Sequence, residues 1–305
     1  MKKEEDPTAH DLSHLSKTIR PIATQSNEER IKHLMREQFI PYTRAERILN
    51  ELEGLYRRED ANRAQGRLFI GPSLSGKSSI LHQFVKNHRA DDNVDGDSAI
   101  VPVLMVQYPE TGREGIYSAV CHALNHKPPV SASMARLRSD CIDLLKAVDV
   151  QVLLIDEFHN VLRGNTEEQR IGLTTIKYVM NAIGRPVVVA GTSEAYNAIN
   201  KDDQMLSRLR AIYLERFRSN DEDFLSLLAG FELRMPLLKA SNLMDPDLAQ
   251  EIYRLTEGLV GHVADLLSEL GVLAIQTGEE CITIELVKSC SWAPMADKDL
   301  VARTK

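Results

Sequence analysis

Gly71-Pro72-Ser73-Leu74-Ser75-Gly76-Lys77-Ser78 follows the pattern G-x-x-x-x-G-K-[ST], and its flanks decide how it folds. Arg67-Leu68-Phe69-Ile70, just before it, reads as a short buried strand. After it, from Ser79 to His88, Ile80 and Phe84 recur at helical spacing with Val85 one position on. Strand, glycine-rich turn and helix in that order predict a phosphate-binding loop. Glycine at 71 and 76 permits backbone conformations and close approaches that a β-carbon blocks. From Gly71 to Ser79 the backbone N–H groups then face anionic oxygens at the positive end of a helix. Lys77 is placed to reach the β- and γ-phosphates of ATP. The Ser78 hydroxyl would complete a Mg²⁺ shell made otherwise of phosphate and water oxygens.

A second stretch answers the first. Val150-Gln151-Val152-Leu153-Leu154-Ile155 is a buried strand that ends in two carboxylates, Asp156 and Glu157. Beside a phosphate loop, Asp156 is expected to hold Mg²⁺ and Glu157 to orient and deprotonate the attacking water. Pro186-Val187-Val188-Val189-Ala190 reads as a third buried strand, running into Gly191-Thr192-Ser193. Parallel sheets collect ligands at the carboxyl ends of their strands, so Thr192 is expected beside the γ-phosphate.

Between these lie the remaining elements. The run Ile100 to Val106, interrupted by Pro102, predicts a strand near an edge, and Ala211 to Leu214 the last strand of the core. Helical spacing covers 27–39, 45–55, 116–124, 134–148 and 167–183. The alternation predicts an α/β fold with a mostly parallel five-stranded sheet and helices on both faces. From Ser219 onward strands vanish, and Leu248, Ile252, Leu255, Leu259, Val263, Leu266, Leu267 and Leu270 mark a small helical bundle. The expected division is a flexible arm at 1–28, a core with N-terminal helices at 29–218, and the helical bundle with a charged tail at 219–305. Phe39-Ile40-Pro41-Tyr42 suits either a sandwich around a nucleotide base or plain packing.

Composition bounds the function classes. The chain has 305 residues, 43% hydrophobic and 27% charged, as ordinary globular proteins do. No apolar run approaches the roughly 18–20 residues that span a bilayer, and the charged start Met1-Lys2-Lys3-Glu4 leads into no signal-like core. A cytoplasmic protein with no membrane partner is expected. Four scattered cysteines make no metal or disulfide pattern. A net charge of −7 argues against coating nucleic acid through global charge, but not against a local basic strip.

Taken together, GPSLSGKSS, VQVLLIDEFHNVL, VVVAGTSEA, DDQMLSRLRAIYLERF and LTEGLVGHVADLL resemble an AAA+ ATPase of the TniB/TnsC transposition-regulator family. The resemblance covers roughly residues 31–287 and implies an AAA+ P-loop NTPase base with a helical lid. It implies ATP-bound protomers that assemble as rings or helical filaments on double-stranded DNA, a partner DDE transposase and a TniQ-type targeting protein. Lys77 and Ser78 match Walker A, Asp156 and Glu157 match Walker B, and Thr192 matches sensor 1. Arg208 falls at the arginine finger that completes a neighbour's site, with Arg210 as the alternative. His262 stands at the sensor 2 position, where many relatives carry Arg, and so brings less fixed charge to the γ-phosphate. DNA-contacting elements of the family map onto Thr111, Arg113, Lys127, Ser133 and Arg136. Contacts of this kind go to the backbone and tolerate any sequence. Two rivals are an initiator- or loader-type AAA+ ATPase of DNA replication and a P-loop switch that binds ATP and protein but no DNA.

Overall fold

The computed structural model describes residues 11–58, 65–109, 115–129, 131–200, 203–219 and 221–293. The chain opens with helices α1 (Arg20–Ala23), α2 (Asn27–Leu34) and α3 (Thr43–Tyr56). Strand β1 (Gly66–Ile70), helix α4 (Lys77–Asn87), strand β2 (Val103–Gln107), and helices α5 (Gly115–Ala123) and α6 (Met134–Ala147) follow. Next come β3 (Val152–Asp156), a 3₁₀ turn (Phe158–Arg163), α7 (Thr166–Ile183), β4 (Val187–Gly191), α8 (Ser193–Ile199), α9 (Asp203–Leu206) and β5 (Leu209–Tyr213). Helices α10 (Glu222–Glu232), α11 (Pro246–Thr256), α12 (Val260–Thr277) and α13 (Ile284–Ser289) complete it.

Arg47–Glu215 forms an α/β unit around one sheet, in the order β2-β3-β4-β1-β5. Every pairing is parallel, so the sheet is parallel throughout rather than mostly so. β1, β3 and β4 are buried along their whole length, which is why they read as unbroken apolar runs. Each fully buried Val, Leu or Ile contributes about 1.5–3 kcal/mol relative to exposure. The outer strands show their edge in sequence: Gln107 on β2 and Arg210 and Tyr213 on β5 are exposed. Pro102 sits just before β2, where its missing N–H costs nothing and its carbonyl accepts from Gln151 and Val152.

The α5–α6 layer buries Cys121 and Cys141. Burial pushes the Cys141 thiol up to about 12 and raises that of Cys121. Since the thiolate is the nucleophile, iodoacetamide at neutral pH should leave both unmodified in the native protein. Mass spectrometry of native and denatured labelling reactions checks this; modification of either in the native state would contradict the packing.

The segments that end at Glu46 and begin at Arg216 form a second, helical unit, and here the expected division needs correcting. Residues 11–28 are not a free arm: Leu15, Ile19 and Ala23 are buried with Leu238 against them. Ser16 N–H donates to the Leu233 carbonyl at 2.9 Å. The helix expected over 27–39 stops at Leu34 and packs with the C-terminal helices, close enough that a Cβ on Gly271 would lie 3.0 Å from Leu34. Its Arg30 is 2% exposed and donates to the Pro236 carbonyl (2.9 Å), Asn27 Oδ1 (3.1 Å) and the Glu280 carboxylate. Removing one partner of such a buried pair costs about 3–5 kcal/mol. The physical reason for the difference is that these contacts, that to Asn27 aside, join residues more than 200 positions apart, which local periodicity cannot show. Tyr42 is buried edge-on against Phe217, with ring centroids 5.6 Å apart, so in the 39–42 link packing accounts for its aromatic ring. The tail from residue 294 lies outside the described residues. Among those residues no single helix is long and apolar enough to cross a membrane.

Candidate functional site

The strand order places the end of β4 between those of β1 and β3, with Ile70 opposite Gly191. The glycine loop, Thr192 and the Asp156–Glu157 pair therefore leave the same carboxyl edge on three adjacent strands. At Gly71 the chain turns out of β1 under tight constraint. A Cβ there would stand 2.5 Å from the Leu214 carbonyl oxygen and 2.7 Å from Ser75 Oγ. Gly76 caps α4 at φ 90, in the left-handed region that favours glycine. Leu74 is also left-handed, at φ 62, and its side chain is exposed beside that of Ser73.

Lys77 opens α4 and is 8% exposed. Its ammonium donates to the carbonyls of Gly71 (2.9 Å) and Pro72 (2.8 Å), with Ser75 Oγ at 3.5 Å. Burial pushes it below its usual range, while the Asp156 and Glu157 charges hold it up. Ser78 donates its hydroxyl to Asp156 Oδ2 at 2.6 Å, and Asp156 Oδ1 accepts the Glu157 N–H at 2.8 Å. Asp156 is thereby fixed at 2% exposure, joining the loop's helix to the end of β3. Glu157 takes a left-handed backbone, φ 56, and starts the 3₁₀ turn. Thr192 Oγ1 is buried without a hydrogen-bond partner among the described residues.

These groups fit a nucleoside triphosphate with Mg²⁺. The cradle is one a β-carbon would fill, a buried ammonium stands at it, and Ser78 with Asp156 offers the hard oxygens Mg²⁺ takes. Thr192 adds an unspent hydroxyl. Lys77, Ser78 and Asp156 would hold the pair, and bound Mg²⁺ would neutralise developing phosphate charge.

The other expected residues sit on different elements. Arg208 precedes β5, whose Leu209 pairs with Gly66, so it sits at the amino edge of the sheet, opposite the loop. Five residues at about 3.3 Å rise put the two edges about 16 Å apart. Its guanidinium donates to Asn181 Oδ1, and its Nε is buried without a partner among the described residues. Arg210 is exposed on β5. His262 is buried in the helical unit, its ring 5.9 Å from that of Trp292, whose indole N–H donates to Asp265. Thr111 and Arg113 lie outside the described residues. Lys127 is exposed between α5 and α6, while Ser133 caps α6 by accepting the Arg136 N–H at 3.3 Å. Arg136 in turn pairs with Asp140 at 2.7 Å.

Two residues escaped the reading of the sequence. Asn181 holds Arg208 from a distant helix and carries no local signal. His159 reaches the Glu157 carboxylate at 3.2 Å, and a histidine two places after that glutamate was a signal in plain view.

A family model described as the bacterial TniB protein matches residues 30–219. The chain belongs to the TniB family. No curated protein matches this TniB-family chain. Solved structures do. The Aeropyrum pernix ORC2 protein, in ADPNP–ADP complexes, is 16% identical with a TM-score of 0.60, covering 89% of this chain and 74% of that one. Cdc6p from Pyrobaculum aerophilum is 17% identical with a TM-score of 0.58, covering 82% and 67%. Drosophila ORC bound to DNA is 14% identical with a TM-score of 0.55, covering 99% and 72%. At such identities the likeness is one of fold: the TniB-family chain carries the AAA+ ATPase fold.

Proposed function

We propose that this TniB-family chain is an ATP-hydrolysing regulator of transposition. In this reading it assembles on double-stranded DNA without sequence preference, recruits a DDE transposase, answers to a TniQ-type targeting protein, and is released when ATP is hydrolysed. The observation that carries it is the Ser78–Asp156 bond beside buried Lys77, in a chain of this family. Lys77 would exchange its loop carbonyls for phosphate oxygens, and Thr192 would spend its hydroxyl on the terminal phosphate. Glu157 would orient a water and take its proton. Arg208, at the far edge of the sheet, would serve a neighbouring protomer, which makes turnover depend on assembly. His262 would contact nucleotide from the helical unit, and Lys127, Ser133 and Arg136, with Thr111 and Arg113, would meet the DNA backbone.

A replication initiator or loader is the second reading, favoured by the likeness to ORC and Cdc6 structures. Electron microscopy with linear duplex and a slowly hydrolysed ATP analogue separates the two. Continuous filaments are expected; isolated rings would favour the loader, and bare DNA would overturn both. In the same buffer, Lys77→Ala should lower DNA retention on filters to the nucleotide-free level. Undiminished retention would remove the loop from the mechanism.

A further inference from the structure

Glu157 does not stand alone at the end of β3. Its left-handed backbone throws the chain into the 3₁₀ turn, and His159 returns to the same side, with Nε2 3.2 Å from Glu157 Oε2. The turn is held from behind by β4: a Cβ on Gly191 would stand 3.3 Å from the His159 backbone nitrogen and 2.8 Å from Ala195 Cβ. The second ring nitrogen, Nδ1, is buried and meets no partner among the described residues. That asymmetry assigns the tautomer. A buried N–H without an acceptor forfeits a strong hydrogen bond to water, whereas a proton on Nε2 faces the Glu157 carboxylate 3.2 Å away. The proton therefore belongs on Nε2, and Nδ1 is the bare nitrogen.

We propose that His159 is a positioning residue for Glu157, an inference that rests on reading Glu157 as the base that activates water. Nε2 stands 3.2 Å from Oε2; once its N–H aligns on that oxygen the carboxylate is fixed, which leaves Oε1 as the oxygen that accepts from water. Glutamate has three side-chain torsions and is 41% exposed here. Without the imidazole its carboxylate would sample positions from which no water is aligned, and misplacement by about 1 Å can cost about 100-fold in rate. His159 itself takes no proton in this scheme.

The experiment uses the full chain with duplex DNA, Mg²⁺ and ATP. His159→Ala should lower kcat about 10- to 100-fold, with KM and the affinity for a fluorescent ATP analogue unchanged. His159→Gln carries an N–H that reaches as far as Nε2 and should restore most of the rate. His159→Asn reaches only as far as Nδ1 and should not. The readout that needs no turnover is the ¹⁵N–¹H ring correlation of His159, which should report the Nε2–H tautomer in the wild-type protein. An Nδ1–H tautomer, equal rescue by Asn and Gln, or a wild-type rate in His159→Ala would overturn the proposal. A wild-type chain that hydrolyses no ATP would sink the ATPase reading instead, and the tautomer would still decide the contact.

Discussion

Replacing Arg208 with alanine is expected to lower DNA-stimulated ATP turnover by about 10³- to 10⁵-fold, the range an arginine finger supplies, while nucleotide binding persists. The expectation comes from the sheet. Leu209 pairs with Gly66 and Tyr213 with Ile70, so Arg208 lies before the first rung and the phosphate loop lies beyond the last. In its own chain the guanidinium is tied to Asn181, with Nε buried and without a partner among the described residues. A cation held at the edge opposite its own Lys77 is suited to the loop of a second copy arranged head to tail. The decisive measurement mixes Arg208→Ala with Glu157→Gln, each inactive alone. At a heterologous contact the first keeps Glu157 and the second keeps Arg208, so random pairing of equal amounts should rebuild about a quarter of the interfaces. No recovery would place Arg208 in cis or make its role structural. A comparable loss in Arg210→Ala, from a side chain exposed on β5, would transfer the finger to that residue.

How much of this was legible in the sequence depended on the range of the forces involved. The loop from Gly71 to Ser78 was readable because its glycines answer to backbone geometry within a few residues: Gly76 is left-handed and Gly71 sits against the chain after β5. The paired acids at Asp156 and Glu157 were readable because they end a buried strand in a chain that also carries a phosphate loop. Strand order was not readable, although it is what sets Thr192 between the loop and Asp156. The assignment of residues 11–46 was also hidden. Leu15, Ile19 and Arg30 look like scattered residues of a polar segment until Leu238, Pro236 and Glu280 meet them. The surroundings of His262 were hidden as well: its ring lies against Trp292, which Asp265 holds through the indole N–H, and no local pattern announced either contact.

Glu157→Gln separates binding from hydrolysis. Glutamine keeps the size of the side chain and its hydrogen-bonding reach but cannot take a proton, so turnover should fall by about 10²- to 10⁴-fold, the range of general-base catalysis. Binding should survive, because the loop's contacts do not pass through this residue. Lys77 is held by the Gly71 and Pro72 carbonyls, and Ser78 by Asp156. Asp156 keeps the backbone N–H of residue 157 whatever side chain that residue carries. If ATP hydrolysis releases the assembly from DNA, the variant should form complexes with ATP that persist as wild-type complexes do only with a slowly hydrolysed analogue. Dissociation followed after a chase with unlabelled duplex measures this. Rapid ATP turnover by the variant would remove Glu157 as the base. Slow turnover with wild-type dissociation would keep the base but detach hydrolysis from release, leaving ATP binding alone to set the lifetime of the complex on DNA.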